Sequence, residues 1–204
     1  MLWKAARRWH SRAVDGLVTT LRIAFCLAIV ALAAGATPAG RPFAGVPGVD
    51  LRYYDVSGRT PAEIRASLNR NNRLDPNTGA RVDAYTAWSL DWRVPYGPDG
   101  RCRLDRAEVT LKVEVGLPRL VRTDRVPPAL LERWQRYRAA LEAHEGTHAR
   151  NAYQGRKAML EAIRRAVCAG ADEAADDVMD ALRRRNAEYD RLTRHGATEG
   201  AQFP

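Results

Sequence analysis

Histidine is scarce in this chain, with four in 204 residues. Cysteine is scarcer at three, and no apolar run reaches the length of a membrane crossing. Each shortage excludes something. The one sustained apolar stretch, Ile23 to Ala36 (IAFCLAIVALAAGA), falls short of the roughly 20 residues a spanning helix needs. It follows Lys4, Arg7, Arg8, Arg12 and Arg22 and ends on Ala34-Gly35-Ala36, so residues 1–36 read as an export signal with a small-residue cleavage site. Membrane attachment is then expected only if that signal stays uncleaved. Cys26 lies inside the run and leaves with it. The remainder keeps Cys102 and Cys168, an even pair in an exported chain, which reads as one disulfide in a periplasmic or extracellular protein. The formal charge of +9 shrinks once the leader is set aside, because 28 basic and 23 acidic residues remain, a net +5. Those basic residues are dispersed, and Arg183-Arg184-Arg185 is a short run without interleaved aromatics, so nucleic acid is not an expected partner.

Three of the four histidines lie beyond the leader, and two of them stand in one motif: His144-Glu145-Gly146-Thr147-His148. Residues four apart on a helix share a face about one turn apart, so both imidazoles can reach one metal ion. The pattern is the zinc-hydrolase signature H-E-x-x-H, in which Glu145 is the general base and not a ligand. Its setting supports that reading. Steps of three and four from Leu130 through Trp134, Tyr137, Leu141, His144, His148, Ala152, Gly155, Met159 and Ile163 to Val167 trace the inner stripe of a long amphipathic helix. Both histidines therefore face inward, where an imidazole needs a metal or a hydrogen-bond partner. Gly146 inside such a helix costs about 1 kcal/mol relative to alanine, which implies close approach of another element.

Residues 37–48, with Pro38, Pro42 and Pro47, read as a linker, and residues 49–204 as a single domain. Val49 to Val56 alternates as a strand. Thr60-Pro61-Ala62-Glu63 opens a helix running to about Asn69. Residues 82–94 and 109–117 alternate as two long antiparallel strands around the turn Pro95 to Arg101. The metal helix begins at Pro127-Pro128, Ala169-Gly170 breaks it, and a second helix spans about Asp172 to Leu192. The expected fold is α+β, with a small antiparallel sheet packed against a long helical hairpin that carries the zinc site.

A hairpin turning at Gly170 puts His195 level with His148, at some 33 to 37 Å from the turn. His195 is thus the favoured third ligand, with Glu188 the alternative in range. Glu173 falls near the turn, and Cys168 lies about 30 Å along the axis from His148. Tyr189 is placed to donate to a developing oxyanion, and Asp190 to orient a ligand histidine from behind.

The run Glu188-Tyr189-Asp190-Arg191-Leu192-Thr193-Arg194-His195-Gly196 with Gly200-Ala201, the H-E-x-x-H motif and the early Tyr53-Tyr54-Asp55-Val56-Ser57-Gly58 together resemble a bacterial family of uncharacterised domains regarded as secreted zinc-dependent proteases. The resemblance covers roughly Asp50 to Pro204. It implies a zincin-like peptidase that binds Zn2+, acts on peptide or protein substrates and hydrolyses peptide bonds with zinc-activated water. Two other expectations stand beside it. One is an envelope protein whose zinc is structural, marked by a fourth protein ligand such as Glu188 or Asp190. The other is a hydrolase of cell-wall peptide or amide bonds. The strand from Glu108 to Leu117 is expected to offer its edge to an extended peptide.

Overall fold

A computed structural model of the chain describes residues 42–75 and 79–204, so the expected export signal lies outside the described residues. The strands β1 (Val49–Val56), β4 (Tyr85–Arg93) and β5 (Glu108–Leu120) form one sheet in the order β1-β5-β4. Short strands β2 (Arg73–Leu74) and β3 (Arg81–Val82) pair separately. Three helices complete the domain: α1 (Pro61–Asn71), α2 (Pro128–Arg165) and α3 (Ala171–Thr193). The α+β class is as read from the sequence. β4 and β5 pair antiparallel from Tyr85↔Gly116 to Arg93↔Glu108, while β1 joins β5 in parallel from Val49↔Val113 to Val56↔Leu120. One expectation fails here. β5 is the central strand, its two sides taken by β1 and β4, so the sheet's edge strands among the described residues are β1 and β4 instead.

Alternation explains how the sheet meets the helices. Val109, Val113, Val115 and Leu117 of β5, with Thr86 and Leu90 of β4, are buried. The stripe of α2 lies beneath them: Leu130, Trp134, Tyr137, Leu141, Ala149 and Ala152 in one cluster, Met159 and Ile163 with Leu90, Val109, Ala175 and Leu182 in a second. Ile163 is fully buried, a contribution of roughly 1.5–3 kcal/mol. α2 stops at Arg165, short of the expected Val167, which is exposed. The helices then fold back closely, because Gly155 has no Cβ to meet the Leu182 side chain. The Cys102–Cys168 disulfide is formed and ties the β4–β5 connection to the α2–α3 turn.

Two peripheral segments hold the centre of α2. Part of the stretch read as linker lies against the domain, with Val46 buried and Phe43 packed on the core. Its Pro42 carbonyl accepts from Arg150 at 2.8 Å and sits where a Cβ on residue 146 would go. That contact accounts for Gly146. After α3 the chain turns and runs back along α2. Gly196 lies against the His144 ring, Gly200 against Ala140, and Phe203 stacks edge-on between Trp134 and Tyr137. Arg65 fastens this tail by donating to Phe203 O at 3.4 Å while bridging Asp83 at 2.6 Å, and Tyr137 Oη donates to the same carboxylate at 2.8 Å.

Candidate metal centre

The two motif histidines project from the middle of α2 toward α3, and Asp190 of α3 projects back. His144 Nε2 and His148 Nε2 are 3.3 Å apart, and Asp190 Oδ1 lies 3.1 Å from the first and 2.9 Å from the second. Among the described residues these three form a group whose ligand-type atoms all lie within 4.8 Å of one another, able to hold a metal ion. The dimensions suit the chemistry: a tetrahedral centre with bonds of about 2.0–2.1 Å has ligand–ligand edges of about 3.3 Å. Two imidazoles and a carboxylate are also a donor set that divalent zinc accepts.

The remaining ring nitrogens are held from behind. His144 Nδ1 lies 3.0 Å from Glu199 Oε2, and Tyr189 Oη donates to that carboxylate at 2.9 Å. His148 Nδ1 lies 3.0 Å from Asn186 Oδ1, which also accepts from Asn151 Nδ2 at 3.0 Å. Such partners fix the tautomer that leaves Nε2 free to ligate. Asn186 Nδ2 is buried with no partner among the described residues, at a cost of roughly 1–3 kcal/mol.

Electrostatics follow from burial and the carboxylates. Burial works against charge on both imidazoles, yet the hydrogen bonds that both donate to Asp190 and that His144 donates to Glu199 outweigh it and raise their pKa values. Asp190, although partly desolvated, is held well below the usual carboxylate range by its bonds to the two histidines. Glu145 is buried, and desolvation pushes its pKa up against the pull of His148 and of the Thr86 hydroxyl, which donates to Oε2 at 2.7 Å. A buried carboxylate with raised proton affinity is suited to take a proton near neutral pH.

Against the expectations from sequence, His144 and His148 come together as read, Asp190 joins them where His195 was expected, and the Glu145 carboxylate accepts from Thr86. Asp190 occupies the third corner. His195 stands outside the group, its side chain 66% exposed and Nδ1 3.9 Å from Asp190 Oδ1. The helix ends explain the exchange. Measured from Arg165, His148 is about 26 Å along α2; measured from Ala171, Asp190 is about 28 Å along α3 and His195 would be about 36 Å. The level residue is therefore Asp190. α3 also ends at Thr193, and Arg194, His195 and Gly196 follow in the left-handed region at φ 51°, 52° and 78°, which turns His195 out. Glu188, the alternative ligand, is exposed and bonded to Arg191 at 2.6 Å. Tyr189 stacks on the His144 ring at 4.8 Å, and its hydroxyl donates to Glu199. Thr86, Asn151, Asn186 and Glu199 were not anticipated. Asn186 sits four residues before Asp190 on the same face of α3, and Thr86 is a hydroxyl on an otherwise apolar strand face; those were the available signals.

A mixed sheet over a helical hairpin, with an H-E-x-x-H pair on one helix and an aspartate from the other, defines an α+β protein with a candidate metal centre. The chain belongs to a bacterial protein family of unknown function, DUF922, which it matches over residues 51–196, a span that holds His144, Glu145, His148, Asp190 and His195 and stops short of Glu199. No curated protein and no solved structure matches the chain.

Proposed function

We propose that the protein is an exported zinc-dependent peptidase. The observation that carries this reading is the convergence of His144 Nε2, His148 Nε2 and Asp190 Oδ1 at tetrahedral-edge spacing, with the buried Glu145 next to His144 in the chain. His144, His148 and Asp190 would hold zinc, which when bound would supply Lewis acidity toward a substrate carbonyl and toward water. Glu145 takes the proton from the attacking water on Oε1, since Oε2 is occupied by the Thr86 hydroxyl, and returns it to the leaving amine. Glu199 and Asn186 keep the histidine rings aimed. An extended substrate would pair with β4, the edge strand that carries Thr86. The disulfide and the basic, apolar leader support export.

The test is Glu145→Gln in zinc-loaded protein assayed against a peptide library. The variant is expected to keep its metal and lose hydrolysis by about 10²–10⁴-fold. Cleavage at the wild-type rate would remove Glu145 from the mechanism. Wild-type protein that binds zinc with four protein ligands and cleaves nothing would favour a structural metal that locks α2 to α3.

A further inference from the structure

A groove of 680 Å³ runs along α2 on the N-terminal side of the metal centre. α2 forms one wall with Arg133, Arg136, Tyr137 and Ala140, and the returning tail forms the other, including Glu199 and Phe203. We propose that this groove binds an acidic peptide segment, its carboxylate against Arg133 and Arg136 and its chain running toward His144. The proposal rests on the peptidase reading for its purpose, because it names the substrate class of that site.

Position supports it first. Ala140 is one turn before His144, and Glu199 both lines the groove and hydrogen-bonds His144 Nδ1, so groove and metal centre share a residue. On the helix ruler Arg136 and Arg133 lie about 12 and 16 Å from the level of His144, roughly four to five residues of extended chain. Charge supports it next. Arg133 makes no ion pair among the described residues, and Arg136 has only a 3.9 Å contact with Glu132, in which both side chains are solvent-exposed. Such a pair contributes little, so both guanidinium forks remain available to a carboxylate. Glu199 places negative charge at the opposite end. The groove is therefore polarised, repelling a carboxylate near the metal and attracting one at the far end. Its lining also includes the rings of Tyr137 and Phe203, 5.3 Å apart, with the Tyr137 hydroxyl already bonded to Asp83.

Three fluorescent ten-residue peptides identical except for a central pair of Glu, Gln or Lys are titrated into metal-loaded Glu145→Gln protein, which holds substrate without turnover, and anisotropy is read. The Glu peptide is expected to bind at least tenfold tighter than the other two. Arg133→Ala/Arg136→Ala should erase that difference and leave the Gln peptide's affinity unchanged, and the double lysine variant should keep most of the preference. Equal binding of the three peptides, no binding of any, or a preference that survives the double alanine variant overturns the proposal. If acidic peptides bind in this way and wild-type protein cleaves none, the peptidase reading falls and the groove stands. Cleavage indifferent to acidic residues removes the groove assignment alone.

Discussion

Replacing Gly146 with alanine sets two opposed effects against each other. Inside a helix alanine is favoured over glycine by about 1 kcal/mol, so helix propensity alone predicts stabilisation. The structure predicts the reverse. A Cβ on residue 146 would lie 2.5 Å from the Pro42 carbonyl oxygen, a backbone atom that cannot rotate aside. Residues 42–46 must lift instead. That exposes Val46, costing roughly 1.5–3 kcal/mol, and breaks the Arg150–Pro42 hydrogen bond, worth about 1 kcal/mol. The net is a loss of about 1.5–3 kcal/mol, or about 3–12 °C in Tm for a domain of this size. Thermal unfolding followed by circular dichroism reads it, and a truncation removing residues 1–46 provides the other half of a double-mutant cycle. In the truncated chain Gly146→Ala should stabilise by about 1 kcal/mol. Stabilisation in the full chain as well would refute the packing of this segment on the metal helix.

Other outcomes follow from the same geometry. Glu199→Gln replaces a charged partner of His144 Nδ1 with a neutral one, and zinc affinity measured by chelator competition should drop about 10-fold; an unchanged affinity would deny Glu199 its role. Cys102→Ser closes no loop in the unfolded chain and should lower stability by about 4 kcal/mol in denaturant titration, with added reductant having no further effect. The metal-free protein should show a distinct pH dependence. Its raised histidines contribute stability that is complete below their ordinary value of 6.5 and is lost as pH rises through their higher folded values. Asp190 contributes above its ordinary value of 3.8 and loses that only as pH falls toward its depressed one. Chelated protein should thus be more stable at pH 5.5 than at pH 8, and zinc-loaded protein the opposite, because ligation needs neutral imidazole. Parallel profiles for the two forms would contradict the cluster as described.

Much of the site was legible in the sequence, for a physical reason. The stripe from Leu130 to Ile163 repeats at helical spacing, so the inward direction of His144 and His148 follows from periodicity. The cysteine pair follows from counting. What periodicity does not carry is where a helix stops. A few residues at the α2–α3 turn decide whether Asp190 or His195 is level with His148, and beyond the left-handed Arg194 the His195 side chain is left exposed beside Asp190 and outside the group. The sheet shows the same boundary. Alternation marked β4 and β5 as half-buried strands, yet nothing local shows that β1 inserts in parallel beside β5, because that pairing joins residues more than 60 positions apart. Glu199 ends a single 3-10 turn, Ala197–Glu199, after α3, too short for a repeating pattern to point inward. It reaches His144 only because glycines at 196 and 200 let the tail turn and pass close to α2.

The central claim is that α3 completes the metal centre through Asp190. Elemental analysis of wild type, Asp190→Ala and His195→Ala, purified side by side after saturation with zinc and removal of the excess, tests it most directly. One zinc per chain in wild type and in His195→Ala, with Asp190→Ala largely metal-free, is the expected result. A fully loaded Asp190→Ala beside a metal-free His195→Ala would contradict it.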